Sequence, residues 1–316
     1  MSATDDSGSV STWKVSLLKS PTTVKADKIA AIGSSTGAGY GATGYGNGKT
    51  NDSAFLGRLK NFFKAQGIAD TIYNYCETST YIYQGMPTGY ISPINDAAHT
   101  INTAKNLTVA MNKVGTGGLI YVLYPSNGFD ETTALTQTLN CMRIMRDTAN
   151  ARGITLVFGT TQAREGFDLL SKKRLKDAYD SILVQFPNNS VDHYWGFVNE
   201  PRGIETMFAY NRRRDDLKYA VGTDSVHYND AGHAQFAKQH IAFNGSSLMQ
   251  TGATVTAPTS PTTTITGLST GTYYFVAAAQ DNDRLWSYNV ITVTSTAPVP
   301  SSSPFKKVKS RKFKLI

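Results

Sequence analysis

Short apolar runs alternate along the chain with longer segments whose apolar residues recur at helical spacing. The short runs are bounded by glycine or polar residues and predict buried strands, at residues 29–32, 71–75, 118–124 and 154–160. The longer segments predict amphipathic helices, one between Asp52 as its cap and Gly67 as its end, and others at residues 97–114, 132–151 and 230–243. Strands that alternate with helices favour an α/β fold with a parallel sheet covered on both faces.

The two ends of the chain differ in composition from this alternating region, which covers residues 28–245. Residues 1–27 form a polar N-terminal arm, in which Trp13 to Leu18 predict either a short strand or an apolar patch on the core. Residues 246–298 are rich in threonine, serine, glycine and proline, with apolar residues at strand-like spacing, and predict a small β-rich appendage. Within it, Ile265 to Phe275 resembles the last strands of a fibronectin type III or immunoglobulin-like module.

A chain of 316 residues with 40% hydrophobic content can bury one large core and a small second one. Its formal charge of +8 is concentrated in a basic tail, residues 299–316. The tail is predicted either to be disordered or to contact an anionic surface. Since the remainder is close to neutral, we expect no nucleic-acid partner. The appendage predicts either a spacer or a contact with a glycan or another protein.

The location of the protein is open from sequence. No continuous apolar stretch approaches the ~20 residues that a membrane-spanning helix needs. The first ten residues are polar and acidic, unlike a signal peptide, which fits a processed or recombinant start, a cytoplasmic enzyme or a component of a particle released by lysis. We expect an extracellular, cell-surface or virion-associated protein. Cys76 and Cys141 are predicted to be free buried thiols, and the redox compartment stays undecided.

The candidate chemistry begins where the first predicted strand ends in Gly33-Ser34-Ser35. Ser35 is the candidate nucleophile, because residues just beyond the strands of a parallel sheet usually carry the chemistry. A serine hydroxyl needs an imidazole to take its proton and a carboxylate to orient that imidazole. Asp224 and His227 supply both, three residues apart and just before the last predicted helix.

At these residues the chain resembles the SGNH hydrolases, also called the GDSL family of esterases and lipases. Gly33-Ser34-Ser35 is similar to the first of the family's four blocks, with Ser34 in place of the usual aspartate. The third block resembles Tyr124 to Gly128, with Gly128 in place of aspartate. The fourth, Asp-x-x-His, matches Asp224 to His227. The second resembles Asn74 to Ser79, with Ser79 in place of the glycine that donates a backbone N–H.

The resemblance implies a flavodoxin-like three-layer α/β/α fold and a serine esterase with Ser35, His227 and Asp224 as its triad. The oxyanion hole would consist of the backbone N–H groups of Ser35 and Ser79 and the side chain of Asn127. No cofactor is implied. The histidines outside the fourth block have no partners at metal-ligand spacing, so no metal site is predicted.

The substrate is less constrained than the reaction. Five tyrosines in the loops predicted to adjoin Ser35 have polar-edged rings suited to sugar faces, namely Tyr40, Tyr45, Tyr81, Tyr83 and Tyr90. They favour deacetylation of a carbohydrate or polysaccharide. The alternative is a non-catalytic or weakly active carbohydrate-binding protein, or a virion or surface structural protein, that retains the fold.

Overall fold

The computed structural model describes residues 10–19, 28–46, 51–94, 99–124, 127, 134–164, 168–194, 197, 220–221, 224–244, 254–255, 262–266, 268, 270–281, 286–295 and 311–314. Its strands, in chain order, are β1 Val10–Lys19, β2 Ile29–Gly33, β3 Tyr73–Asn74, β4 Leu119–Leu123, β5 Thr155–Gly159, β6 Ser190–Val191, β7 Ala220–Val221, β8 Asp224–Tyr228, β9 Thr254–Val255, β10 Thr262–Thr266, β11 Gly271–Asp281, β12 Trp286–Ser295 and β13 Arg311–Lys314. Its α-helices are α1 Ser35–Ala38, α2 Phe55–Ala65, α3 Leu107–Val114, α4 Ala134–Asn150, α5 Leu169–Gln185 and α6 Asp230–Asn244. A short 3₁₀ helix spans Ile82–Gly85.

The chain divides into two compact units. The first, Lys25–Ala237, contains a five-stranded sheet in the order β3-β2-β4-β5-β6, with every neighbouring pair parallel. Taken in chain order, these five strands have the order 2-1-3-4-5, which is the flavodoxin-like arrangement. The predicted α/β fold with a parallel sheet is therefore confirmed.

The central strands are apolar throughout because both faces of the sheet are covered. Every residue of β2 and β4 is buried, and so are four of the five residues of β5. On one face, alternate residues of these strands pack against α3, α4 and the end of α5 in a single apolar cluster. Continuous apolar runs are the pattern that a parallel sheet between two layers requires. The sheet thus forms a rigid base whose strand ends hold the loops of the site.

The helix α2 illustrates how local sequence sets the bounds of an element. Gly67, at φ 64°, follows its end, and the N–H of Ile68 donates to the carbonyl of Phe63 at 2.8 Å, as in a Schellman motif. The predicted cap Asp52 is wrong, since the N-cap position is Ala54. The first N–H of the helix, that of Phe55, instead donates to Nδ1 of His233 at 3.3 Å.

The second unit combines the described parts of residues 1–24 and 238–316. It contains two antiparallel sheets, β1-β11-β12 and β13-β10-β9. The predicted arm therefore supplies a long strand that pairs with β11, and the predicted basic tail supplies β13, which pairs with β10. Strand pairing between such distant segments has no local sequence signature. The likeness of 246–298 to an immunoglobulin-like module stays a prediction.

Three further findings concern the described residues only. None of their helices is long and apolar enough to cross a membrane. They contain no group of three or more histidine, cysteine, aspartate or glutamate side chains that could hold a metal ion. Cys76 and Cys141 are both buried free thiols, and burial raises the pKa of each.

Candidate active site

Ser35 lies at the carboxyl end of β2, as the first residue of the short helix α1. The strand ends at Gly33 because β2 and β4 approach closely there: a Cβ on Gly33 would lie 2.1 Å from the carbonyl oxygen of Leu123. The N–H of Ser34 donates to that same oxygen at 2.7 Å. The glycine therefore lets the backbone turn at once from the sheet into the helix. This turn places Ser35, which is partly exposed, just beyond the carboxyl end of β2.

His227 faces this serine from β8, with its Nε2 atom 2.9 Å from Ser35 Oγ. The pairing of β8 with β7 is irregular, since Val221 pairs with Asp224 whereas the adjacent Ala220 pairs with Tyr228. Residues 225–227 are thus inserted between the two pairs, as in an extended bulge, and such irregularities redirect side chains at functional sites. The contact joins residues 192 positions apart in the sequence. His227 is in reach of the serine proton.

The backbone of Asp224 begins β8, but its side chain lies outside the described residues. Its role as the carboxylate that orients His227 therefore stays a prediction. His227, which the sequence placed just before the last helix, belongs to the strand β8.

The imidazole of His227 is covered on one side by Tyr40, whose ring centroid lies 4.2 Å from its own. Tyr45 packs in turn against Tyr40, at 5.0 Å between ring centroids. The loop that carries both tyrosines is tied to α6 at two points. The N–H of Thr43 donates to Asp230 Oδ1 at 2.7 Å, and His233 Nε2 donates to the carbonyl of Tyr40 at 3.0 Å. The loop that carries these two tyrosines is therefore held in place by the helix that follows the candidate base.

His233 must be neutral to make its two contacts. Its Nδ1 accepts a hydrogen bond from the N–H of Phe55, so its single ring proton is on Nε2, facing the carbonyl of Tyr40. Burial lowers the pKa of His233 to about 4, although the carbonyl of Tyr40 and the carboxylate of Asp230 act in the opposite direction. His233 thus caps α2 and holds the loop that carries the two tyrosines.

The three other tyrosines expected at the site pack in or against the apolar core. Tyr83 is buried, only 5% exposed, and its hydroxyl donates to Gln137 at 2.6 Å. Tyr90 and Tyr81 pack against the apolar cluster beneath the sheet, and the Tyr90 hydroxyl contacts Cys141 Sγ at 3.6 Å. The prediction that Tyr83 lines the pocket is wrong, because its ring forms part of the core. Of the five tyrosines, Tyr40 packs against the ring of His227, and Tyr45 packs against Tyr40.

Asn127, the candidate oxyanion donor, is fixed by two hydrogen bonds. Its Nδ2 donates to the carbonyl of Thr80 at 2.8 Å, and its Oδ1 accepts from Arg164 Nη2. Since a guanidinium only donates, the orientation of the amide is defined. Thr80 is itself bound to the nucleophile strand, because its hydroxyl lies 3.0 Å from the carbonyl of Gly33. One Nδ2 hydrogen is thus used within the protein, in the bond to Thr80.

Ser79, the second predicted oxyanion donor, is exposed and has φ 60°. It is the one non-glycine residue with positive φ among those that the structure describes. This left-handed region is the one that glycine enters most easily. Ser79 therefore has the backbone conformation that glycine favours, at the position where the sequence resemblance implied a glycine.

Sequence reasoning missed two residues of the site, Arg164 and Gln162. Both lie in the irregular segment after β5, and hydrophobic periodicity predicts only helices and strands. Arg164 holds Asn127, and Gln162 binds both Thr36 and the backbone of Val226. A single polar residue in a loop has no pattern that distinguishes it from a solvated one, so no signal in the sequence pointed to either.

No protein-family model and no curated protein matches this chain. Among solved structures it is similar to TesA, at 12% identity and a TM-score of 0.45 over 70% of this chain and 99% of the other. It is also similar to the psychrotrophic esterase EstA from Pseudoalteromonas sp., at 10% identity and a TM-score of 0.42 over 68% and 94% of the two chains. A third is a two-domain esterase active on acetylated mannans, at 14% identity and a TM-score of 0.42 over 74% of this chain and 52% of that one.

The buried imidazole of His233 predicts an acid-sensitive fold. A pKa of about 4 in the folded state lies below the ordinary histidine value of about 6.5, so the unfolded chain takes up a proton first as the pH falls. The free energy of unfolding therefore decreases as the pH falls from about 6.5 to 4, and His233 accounts for at most about 3 kcal/mol of that decrease. The free energy of unfolding, measured with urea across this range, should fall less steeply with decreasing pH for His233→Gln than for the wild type. Equal slopes would contradict the assignment.

Proposed function

We propose that the protein is a serine hydrolase acting on carboxylic esters, with Ser35 as nucleophile and His227 as general base. The observation that carries the proposal is the contact of 2.9 Å between Ser35 Oγ on α1 and His227 Nε2 on β8. It lies beyond the carboxyl end of β2, a strand of the parallel sheet. A serine and an imidazole within hydrogen-bond reach are the minimal pair for nucleophilic acyl transfer.

The reaction follows in two steps. His227 Nε2 takes the Ser35 proton as Oγ attacks the ester carbonyl, and the carbonyl electron pair moves onto its oxygen. Collapse of this tetrahedral intermediate expels the alcohol, which takes the proton from His227 and leaves an acyl-serine. Water then attacks the acyl group with the same proton transfers and releases the acid. Asp224 is proposed to accept the Nδ1 proton of His227 and so to keep Nε2 unprotonated for the first step.

The oxyanion is proposed to bind the backbone N–H of Ser35, the backbone N–H of Ser79 and the Nδ2 of Asn127. Ser35 is the first residue of α1, and the first N–H groups of a helix have no partner within it. Asn127 has its amide oriented by Arg164 and Thr80 before any substrate arrives. Donors fixed in advance stabilise the developing charge without the cost of reorganisation.

A fluorophosphonate probe tests the nucleophile directly. Its phosphorus should be attacked by Ser35 Oγ with loss of fluoride, and peptide mass spectrometry should locate the adduct on Ser35. The adjacent Ser34 is a matched control, because it is only 3% exposed. Ser34→Ala should label as the wild type does, and Ser35→Ala should not label. An adduct on any other residue, or none at all, would overturn the proposal.

We propose acetylated carbohydrate as the substrate class, supported by the ring pair Tyr40 and Tyr45 beside the base. Tyr40 is 38% exposed, so its ring is accessible to a ligand. Aromatic rings with a polar edge are suited to the apolar faces of sugars. Tyr40→Leu should raise KM several-fold for an acetylated oligosaccharide and leave KM for p-nitrophenyl acetate nearly unchanged, with released acetate as the readout. Equal changes on both substrates would count against a sugar-binding role.

A further inference from the structure

Gln162 lies at the centre of the unit that carries the site, in the segment that follows β5. This segment is buried in spite of its polarity: Thr160 and Thr161 are 0% exposed and Gln162 is 2% exposed. The segment is fixed by its neighbours, since the N–H of Thr160 donates to the carbonyl of Val191 and the hydroxyl of Thr161 to that of Leu175. The side chain of Gln162 therefore extends from a rigid base on the central sheet.

The amide of Gln162 binds two residues, one next to Ser35 in the sequence and the other next to His227. Its Oε1 accepts from the hydroxyl of Thr36 at 2.9 Å, and its Nε2 donates to the carbonyl of Val226 at 3.1 Å. Thr36 directly follows Ser35, and the carbonyl of Val226 belongs to the peptide bond that leads into His227. The nucleophile and the base are thus joined twice, once by their own contact and once through this amide.

We propose that Gln162 is a positioning residue that sets the separation of Ser35 Oγ and His227 Nε2. The inference rests on the proposed function, since it assigns Gln162 a part in the reaction of that pair. The amide binds the side chain of Thr36 and the backbone of Val226, and it acts on the pair through these two neighbours.

The elements that carry the pair explain why such a link is needed. Ser35 lies on α1, a helix of four residues, and His227 lies on β8, which pairs only with the two-residue strand β7 among the described strands. Neither element is extensive enough to fix a distance by itself. Gln162 connects both to β5, which is paired on both sides within the sheet. A misplacement of reacting groups by about 1 Å can cost about 100-fold in rate.

An amide is suited to this position because one end must accept and the other must donate. Thr36 offers a hydroxyl proton and the peptide group of Val226 presents its carbonyl oxygen, and glutamine satisfies both at once. A carboxylate would place a second acceptor against the carbonyl of Val226. The simpler interpretation is a buried glutamine that only stabilises the fold, and the two interpretations differ in what happens to turnover.

The test compares Gln162→Met and Thr36→Val with a matched control, Thr161→Val. Methionine keeps the length of the side chain without its hydrogen bonds. Thr161→Val deletes a buried hydroxyl at the adjacent position, but its bond to Leu175 O at 2.7 Å leads away from the site. Thermal midpoint, kcat and KM for p-nitrophenyl acetate are measured for each variant and for the double variant of Gln162 and Thr36.

We expect all three single variants to lower the thermal midpoint. Gln162→Met and Thr36→Val should lower kcat on the order of 10- to 100-fold with KM within about twofold of wild type. The double variant should be no slower than the slower single variant, because both changes interrupt the same link. Thr161→Val should keep kcat within about twofold. If Gln162→Met and Thr161→Val lost stability alike and kept kcat alike, the amide would be merely structural.

A readout independent of turnover separates this inference from the proposed function. The ring-nitrogen chemical shifts of His227, measured by NMR on protein labelled with ¹⁵N-histidine, should move in Gln162→Met and stay at their wild-type values in Thr161→Val. If the wild type failed to hydrolyse esters but these shifts still moved, the proposed function would fail and the positioning role would stand. Unchanged shifts in Gln162→Met would overturn the positioning role whatever the activity.

Discussion

Ser35→Ala should lower kcat for p-nitrophenyl acetate by roughly 10⁴- to 10⁶-fold, and His227→Ala should lower it to nearly the same residual rate. The reason is that neither group is expected to act alone: the hydroxyl needs the imidazole 2.9 Å away to take its proton, and the imidazole contributes by activating that hydroxyl. Steady-state kinetics of the two single variants and the double variant test this. The double variant should be no slower than either single one.

Two comparisons make the result specific to this pair. Ser34→Ala should keep wild-type kcat, because Ser34 is buried and its backbone, not its hydroxyl, binds Leu123. Asp224→Ala should cost less than the loss of Ser35 or His227, since an unoriented imidazole can still accept a proton. The assignment would be refuted if Ser35→Ala retained a tenth or more of the wild-type kcat.

The parallel sheet was predictable because its strands carry the pattern that burial on both faces imposes. The predicted strands 118–124 and 154–160 became β4 and β5 with shifts of one residue at their ends, and the predicted helix 132–151 became α4. Continuous apolar runs and helical periodicity are local properties, so they can be read without knowing what packs against them.

The pairing of strands that are distant in the sequence could not be predicted from local patterns. The N-terminal strand β1 pairs with β11, so Trp13 lies opposite Ala279. Nothing in an isolated strand specifies a partner more than 250 residues away. The cap of α2 failed for the same reason: an acidic residue near the helix start was the local expectation, whereas the observed acceptor is His233, 178 residues further along the chain.

The candidate site was predictable as far as its motifs, and no further. Gly33-Ser34-Ser35 and the Asp-x-x-His spacing pointed to two residues that the structure brings within 2.9 Å. Gln162, which binds a neighbour of each, and Arg164, which binds Asn127, belong to no periodic pattern or motif. A buried polar residue is recognised by its partners, and these are set by the fold. Tyr83 shows the converse, since a tyrosine expected at the surface packs in the core with its hydroxyl satisfied by Gln137.

The amide of Asn127 provides the second large effect, because it is the one side-chain donor proposed for the oxyanion. Asn127→Ala should lower kcat for p-nitrophenyl acetate by about 10²- to 10³-fold with a small change in KM, since the donor acts mainly on charge that develops in the transition state. The amide also donates to Thr80 at 2.8 Å, so its loss could act through the loop instead. Asn102→Ala is the matched control.

Asn102 binds the same loop from its other side, with Nδ2 donating to Glu77 Oε2 at 2.9 Å, and it is not among the proposed oxyanion donors. Its removal should lower stability slightly and leave kcat unchanged. A loss of kcat of similar size in Asn127→Ala and Asn102→Ala would show that the loop, and not the amide, is what the reaction needs. Retention of kcat within about threefold in Asn127→Ala would exclude its side chain from the oxyanion hole and leave the backbone N–H groups of Ser35 and Ser79 as the donors.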